Sequence, residues 1–250
     1  MCLINLAWRV HTDLPFLLVA NRDEFYNRPT AALHWWEDDP HILAGRDLKD
    51  GGTWMGMSKE GRFAAITNYR DLRNIKENVP SRGIIPVHFL NKTYSLEQMH
   101  RFLQSVGNRF NGFNLLYGDR DSMFHYANVT NVITTLTPGT YGLSNALLNT
   151  PWPKLTRSME QFQTLVAQNG AEADFIEYML DRTLAADDAL PQTGVPFALE
   201  KQLSAMFIKT PEYGTRLTTF VSVDSSGNVV YHEKSYVPEH EKRFTFTLGD

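Results

Sequence analysis

The chain opens on two apolar runs separated by a polar turn. Leu3, Ile4, Leu6, Ala7 and Val10 form the first, His11–Leu14 the turn, and Pro15–Ala20 the second. Runs this close predict an antiparallel hairpin, which places the end of the second strand beside the start of the first. The second run ends on four consecutive polar residues, Asn21-Arg22-Asp23-Glu24. His34–Trp36 and His41–Ala44 read as short and irregular. Thr53–Ser58 and Arg62–Tyr69 flank Lys59-Glu60-Gly61 and predict a second hairpin. Ile84–Leu90 reads as a short helix. Ser95–Val106 reads as an amphipathic one, with Ser95 as N-cap and Gln98 completing a capping box.

Three antiparallel strands follow at Phe113–Tyr117, Ser122–Ala127 and Val132–Thr135, then a strand-to-loop junction at Gly139–Asn145. Pro151 and Pro153 suit a helix start, and Leu155, Met159, Phe162 and Val166 continue that helix at its own spacing. Ala173–Leu184 and Phe197–Phe207 read as helices. Thr215–Val223 and Val229–Lys234 flank the turn Asp224–Asn228, and Arg243–Leu248 is a last short strand. Strand groups alternating with helix groups, joined by short antiparallel turns, predict an α+β protein: two stacked antiparallel sheets covered by helices, in one domain spanning residues 1–250.

Composition narrows the function. The 250 residues are 42% hydrophobic and 21% charged with a net charge of −4, an ordinary globular balance. Without a basic run there is no nucleic-acid footprint. No apolar stretch approaches the ~18 residues of a membrane span, and the N-terminus lacks the pattern of a signal peptide. The eight histidines are scattered, with no HExxH, CxxC or acidic calcium loop, so no metal is expected. One cysteine cannot form an internal disulfide, which fits a reducing, cytoplasmic setting.

That one cysteine is Cys2, directly after Met1. Removal of Met1 would put a thiol and a free α-amine on one residue, a nucleophile with its own base. The amine has an ordinary pKa of about 7.7–8.0 and the thiol about 8.5, so proton exchange between them costs little near neutrality. In the predicted hairpin Arg22 falls near Cys2, where it would lower the thiol pKa, and Asp23 is placed to hold the amine or to orient Arg22. Asn68, which closes the second hairpin, can donate its amide to an oxyanion or cap a turn, and Asn145 ends a further strand-to-loop junction. The loop Gly45–Gly52 does not match a phosphate-binding loop.

With Met1-Cys2, Asn21–Glu24, Gly51–Trp54 within Gly45–Asn68, and Gly142–Asn145 followed by Pro151–Lys154 in order, the chain resembles the NRDE family. The transport and Golgi organization 2 proteins of animals belong to that family. The resemblance spans essentially the whole chain and implies an N-terminal-nucleophile (Ntn) hydrolase-like αββα fold of four layers. It further implies Cys2 as nucleophile, Arg22 and Asp23 as a paired Arg and Asp, Asn68 and Asn145 as candidate oxyanion or amine-orienting amides, and Arg216 as a candidate for the late Arg. The acylase branch of that fold separates its Arg and Asp by two residues, whereas Arg22 and Asp23 are adjacent. On a strand, adjacent side chains point to opposite faces. Either Glu24 or Asn21 replaces Asp23, or a turn redirects it.

Two functions follow. The first is a cysteine hydrolase of a non-peptide C–N (amide) bond in a small acylated substrate, needing no cofactor. The second is a non-catalytic trafficking protein for haem or for lipid and acyl-CoA on the same fold, with Cys2 as an axial haem ligand or incidental. Retention or loss of Met1 discriminates between them.

Overall fold

The computed structural model describes residues 2–249; Met1, and with it the question of its removal, lies outside the described residues. Strands β1 (Cys2–Trp8), β2 (Phe16–Phe25), β3 (Thr30–Trp35), β4 (Ile42–Asp47), β5 (Met55–Ser58) and β6 (Phe63–Asn68) come first. Helices α1 (Ile84–Leu90) and α2 (Leu96–Val106) precede β7 (Phe113–Gly118), β8 (Met123–Ala127), β9 (Val132–Thr135) and β10 (Gly139–Leu143). Helices α3 (Pro153–Ala167), α4 (Glu172–Tyr178) and α5 (Phe197–Gln202) lead to β11 (Tyr213–Val223), β12 (Asn228–Tyr236) and β13 (Glu239–Thr247).

The chain divides into two compact units. One holds residues up to 27 and 138–245; the other holds residues 28–137 and 246 onward. The first unit is built on a sheet of order β10-β1-β2-β11-β12-β13. Alternation along β1 and β2 turns Leu3, Ala7, Leu17 and Val19 toward Leu155, Phe162 and Val166 of α3 and Phe175 of α4, and these form one core. The opposite face of the two strands, with Ile4, Leu6, Leu18 and Ala20, is buried as well.

The second unit is a sheet of order β3-β4-β5-β6-β7-β8-β9, one antiparallel neighbour after another. Its helix-side core joins Ile42, Ile66, Leu115 and Tyr117 to Phe89 of α1 and Leu103 of α2. The capping box of α2 forms as expected: the Gln98 amide donates to Ser95 Oγ, and the Ser95 amide to Gln98 Oε1. On the other face, Asn114 donates to Thr67 Oγ1 and its Oδ1 lies 3.1 Å from His125 Nε2. Burial holds the His125 pKa down at about 4, so this ring is neutral at physiological pH.

Several elements depart from the sequence reading. The segments around His34 and His41 are strands β3 and β4, paired across a bulge between Ala31 and His34 that breaks the period-two pattern. Helix α4 stops at Tyr178 and α5 at Gln202, both shorter than their apolar spacing suggested. Strand β2 does not end at Ala20. It runs on through Asn21–Glu24 to Phe25, fully paired with β11.

Glu60, in the β5–β6 turn, lies 2.6 Å from Lys92 Nζ and 3.1 Å from His41 Nδ1. Burial pulls its carboxyl up, but hydrogen bonds from Lys92, its own main chain and Ser58 outweigh that and lower it from 4.5 to about 2. A carboxyl lowered in the folded state stabilises above its unfolded pKa and loses that contribution as pH falls through its folded one. We predict that Glu60→Gln costs about 1–2 kcal/mol at pH 7, discounted for partial exposure, and that this difference shrinks between pH 4.5 and 2. Urea midpoints of the two proteins across that range check it; parallel profiles would contradict it.

Candidate functional site

The β1–β2 ladder sets the site. Cys2 lies directly opposite Arg22, Leu3 opposite Asn21 and Ile4 opposite Ala20. Opposed residues of an antiparallel pair share a face, so the Cys2 thiol and the Arg22 guanidinium stand on the face turned away from α3 and α4. Cys2 is partly exposed and the Arg22 side chain is 6% exposed. Burial pushes the Cys2 thiol up, and the Asp23 carboxylate adds to that; Arg22 pulls it down, and the main-chain amide of Asp23 donates to the sulfur.

The question left by the adjacent Arg22 and Asp23 has a definite answer. Because β2 is continuous to Phe25, no turn redirects Asp23, and its side chain takes the helix-side face. There Thr215 Oγ1 donates to Asp23 Oδ1 at 2.6 Å, and the same hydroxyl accepts from the Ile208 amide. Asp23 thus reaches the thiol through its main chain and its charge.

Asn21 also faces the helices. Its Nδ2 donates to the carbonyls of Met179 (2.8 Å) and Met206 (2.9 Å), and its Oδ1 accepts from Thr218 Oγ1 (2.6 Å). It is a clamp holding two distant loops on the sheet. Glu24, two residues beyond Arg22, shares the Arg22 face and lies 4.0 Å from its Nη2.

Arg216 sits at a break in the β2–β11 register: Thr215 pairs with Asp23 and Leu217 with Arg22, leaving Arg216 as the extra residue of a bulge. Bulges re-aim side chains. Arg216 Nε donates to the Val237 carbonyl and Nη1 to that of Phe25. Burial lowers its pKa, Arg22 lowers it further and Glu24 raises it, so these three charges act on one another. Asn145 follows β10. The ladder to β1 ends at the Ile4–Leu143 pair and the chain bends from Ser144 on, so Asn145 is linked to β1 through its neighbour Ser144. Ser144 Oγ donates to the Cys2 carbonyl and to Asn145 Oδ1, both at 3.4 Å.

Cys2, Arg22, Asn145 and Arg216 therefore gather at one end of one sheet, with Asp23 behind them. Asn68 closes β6 in the other unit, opposite Phe113. Sequence reasoning passed over Thr215 and Ser144, whose partners lie 192 and 142 residues away and leave no local signal. Among the described residues no group of three or more His, Cys, Asp or Glu is arranged to hold a metal. Among the described residues no helix is long and apolar enough to cross a membrane.

A family model described as Transport and Golgi organisation 2 matches residues 1–238. The chain belongs to the Transport and Golgi organisation 2 family. Among relatives of that name, the Bos taurus homolog is 35% identical over 253 residues, covering 94% of this chain and 91% of that protein. The Homo sapiens homolog is 34% identical over 255 residues, covering 93% and 92%. Among solved structures, the mutant C2A conjugated bile acid hydrolase from Clostridium perfringens matches with a TM-score of 0.54 at 9% identity, covering 99% of this chain and 92% of that one. At that identity the likeness speaks for the fold alone. The chain thus carries the α+β, αββα fold of Ntn-hydrolase type that the sequence led us to expect.

Proposed function

We propose that this member of the family is a cytoplasmic N-terminal cysteine hydrolase that cleaves the C–N bond of a small acylated amide without a cofactor. The observation that carries the reading is the pairing of Cys2 with Arg22 across β1 and β2, with the Asp23 amide on the sulfur. After loss of Met1, the neutral α-amine of Cys2 takes the thiol proton. The thiolate attacks the amide carbonyl, and the oxyanion accepts from Asn145. The ammonium returns its proton to the leaving nitrogen as the C–N bond breaks, giving a thioester and a free amine. Water then attacks the thioester, the α-amine takes its proton, and the acid leaves as the thiol re-forms.

A second reading, non-catalytic carriage of a lipid, acyl-CoA or haem, is favoured by one observation. Burial raises the thiol pKa, and a neutral thiol is a poor nucleophile. Haem fits this face poorly, because an axial thiolate wants an apolar slot and Cys2 is flanked by Arg22, Glu24 and Arg216.

Intact-protein mass before and after iodoacetamide separates the two. For the hydrolase we expect loss of Met1, rapid addition of one label, none in Cys2→Ser, and slower labelling at pH 7 in Arg22→Ala, because losing the guanidinium raises the thiol pKa. Retained Met1 with a sluggish thiol would refute the hydrolase and direct the work to acyl-CoA and haem titrations.

A further inference from the structure

Glu24 has no part in the reaction above, yet it stands on the face of β2 that carries the reacting group. From the thiol outward the order is Cys2, Arg22, Glu24: Cys2 opposes Arg22 across the ladder, and Glu24 follows two residues along the same face. Exposure rises from Arg22 to Glu24. The Arg22 side chain is 6% exposed and that of Glu24 25%, so the carboxylate is the solvent-side member. Its contact with Arg22 Nη2, at 4.0 Å, lies at the outer limit of an ion pair, while its Oε1 accepts from the Phe25 amide at 2.9 Å. The second guanidinium, Arg216, feels Arg22 as a like charge and Glu24 as an opposite one. Glu24 is thus a part-exposed carboxylate in the field of two buried guanidiniums.

We propose that Glu24 sets the charge selectivity of the Cys2 site: its carboxylate occupies the place beside Arg22 and Arg216 that an anionic group of an incoming molecule takes by exchange. Glu24 is then an internal competitor. It neutralises the two guanidiniums while the site is empty and turns away anions that do not bring enough further contact to displace it. The molecules admitted carry a carboxylate, sulfonate or phosphate near the bond that reaches the thiol. This rests on the reading of Cys2 as the reacting group.

Because Cys2 is the only thiol in the chain, its reaction rate reports the local field without interference. The test compares two reagents of equal reactivity and opposite charge, sulfonatoethyl methanethiosulfonate (anionic) and trimethylammonioethyl methanethiosulfonate (cationic). In each, the Cys2 thiolate attacks the sulfenyl sulfur, a disulfide forms and methanesulfinate leaves. The ratio of the two rates cancels any change in thiol pKa. In Glu24→Gln the anionic-to-cationic ratio rises roughly tenfold at low salt, as expected for one charge removed within several ångströms at a partly hydrated site, and the rise shrinks at high salt. Glu24→Asp returns the ratio toward wild type, Arg216→Gln moves it the other way, and Glu160→Gln on the exposed side of α3 leaves it unchanged. A ratio within twofold of wild type in a Glu24→Gln protein of unchanged circular dichroism would overturn the proposal. So would failure of both reagents to reach Cys2. Labelling needs no turnover, so the ratio moves even in a chain that never forms an acyl-enzyme. An acyl-enzyme with a flat ratio refutes the role of Glu24 alone.

Discussion

Asn21→Ala lowers stability by about 3–4 kcal/mol, the largest loss we expect from any single polar residue of this chain. Asn21 is fully buried and makes three hydrogen bonds: two donated to the carbonyls of Met179 and Met206 and one accepted from Thr218 Oγ1. A neutral hydrogen bond contributes about 1 kcal/mol net, but a buried group left without its partner costs a further 1–3 kcal/mol. The substitution strands two carbonyls and a hydroxyl at once. The loss falls on tertiary assembly, because Met179 and Met206 lie 158 and 185 residues away in sequence. For a chain of this length it corresponds to a melting temperature about 10 °C lower. Thr218→Val removes one of the three bonds, and the acceptor of Tyr236 Oη with it, so it costs about 1–2 kcal/mol. Urea melts of both variants check the ranking. An Asn21→Ala loss below about 1 kcal/mol would show that the clamp is not what holds these loops to the sheet.

The same residue marks where sequence reasoning reached its limit. Asn21-Arg22-Asp23-Glu24 reads as the polar end of a strand because polar residues inside a buried strand normally lack partners. Here the partners exist, on segments far along the chain, and β2 continues to Phe25. Hairpin geometry was legible, since a short turn forces β1 and β2 together, and the approach of Arg22 to Cys2 followed from it. The capping box at Ser95 and Gln98 was legible for the same reason, every part lying within four residues. Opposite faces for Arg22 and Asp23 follow from strand alternation as soon as the strand is known to be continuous. The bulge at Arg216 was not legible: a register shift depends on both strands, and nothing in Thr215-Arg216-Leu217 announces it. Strands β3 and β4 were hidden likewise, their alternation broken between Ala31 and His34.

On the hydrolase reading, Asn145→Ala slows acylation of Cys2 by about 10²–10³-fold, equivalent to about 2.7–4 kcal/mol of barrier, with little change in KM. Asn145 is fully buried two residues beyond β10, next to Ser144, whose Oγ donates to the Cys2 carbonyl. On this reading the Asn145 Nδ2 donates to the oxyanion. The charge on that oxygen develops only as the thiolate attacks, so the bond strengthens in the transition state and its loss falls on kcat. Substitution by aspartate is worse than alanine, because it places a negative charge where one is forming. The burst of nitrophenolate from p-nitrophenyl acetate, one per chain, reads acylation directly in the Met1-processed protein. A burst in Asn145→Ala within threefold of wild type would remove Asn145 from the oxyanion site and leave main-chain amides to supply it. A normal burst in Arg22→Ala as well would detach the chemistry from the β1–β2 pairing on which the reading stands.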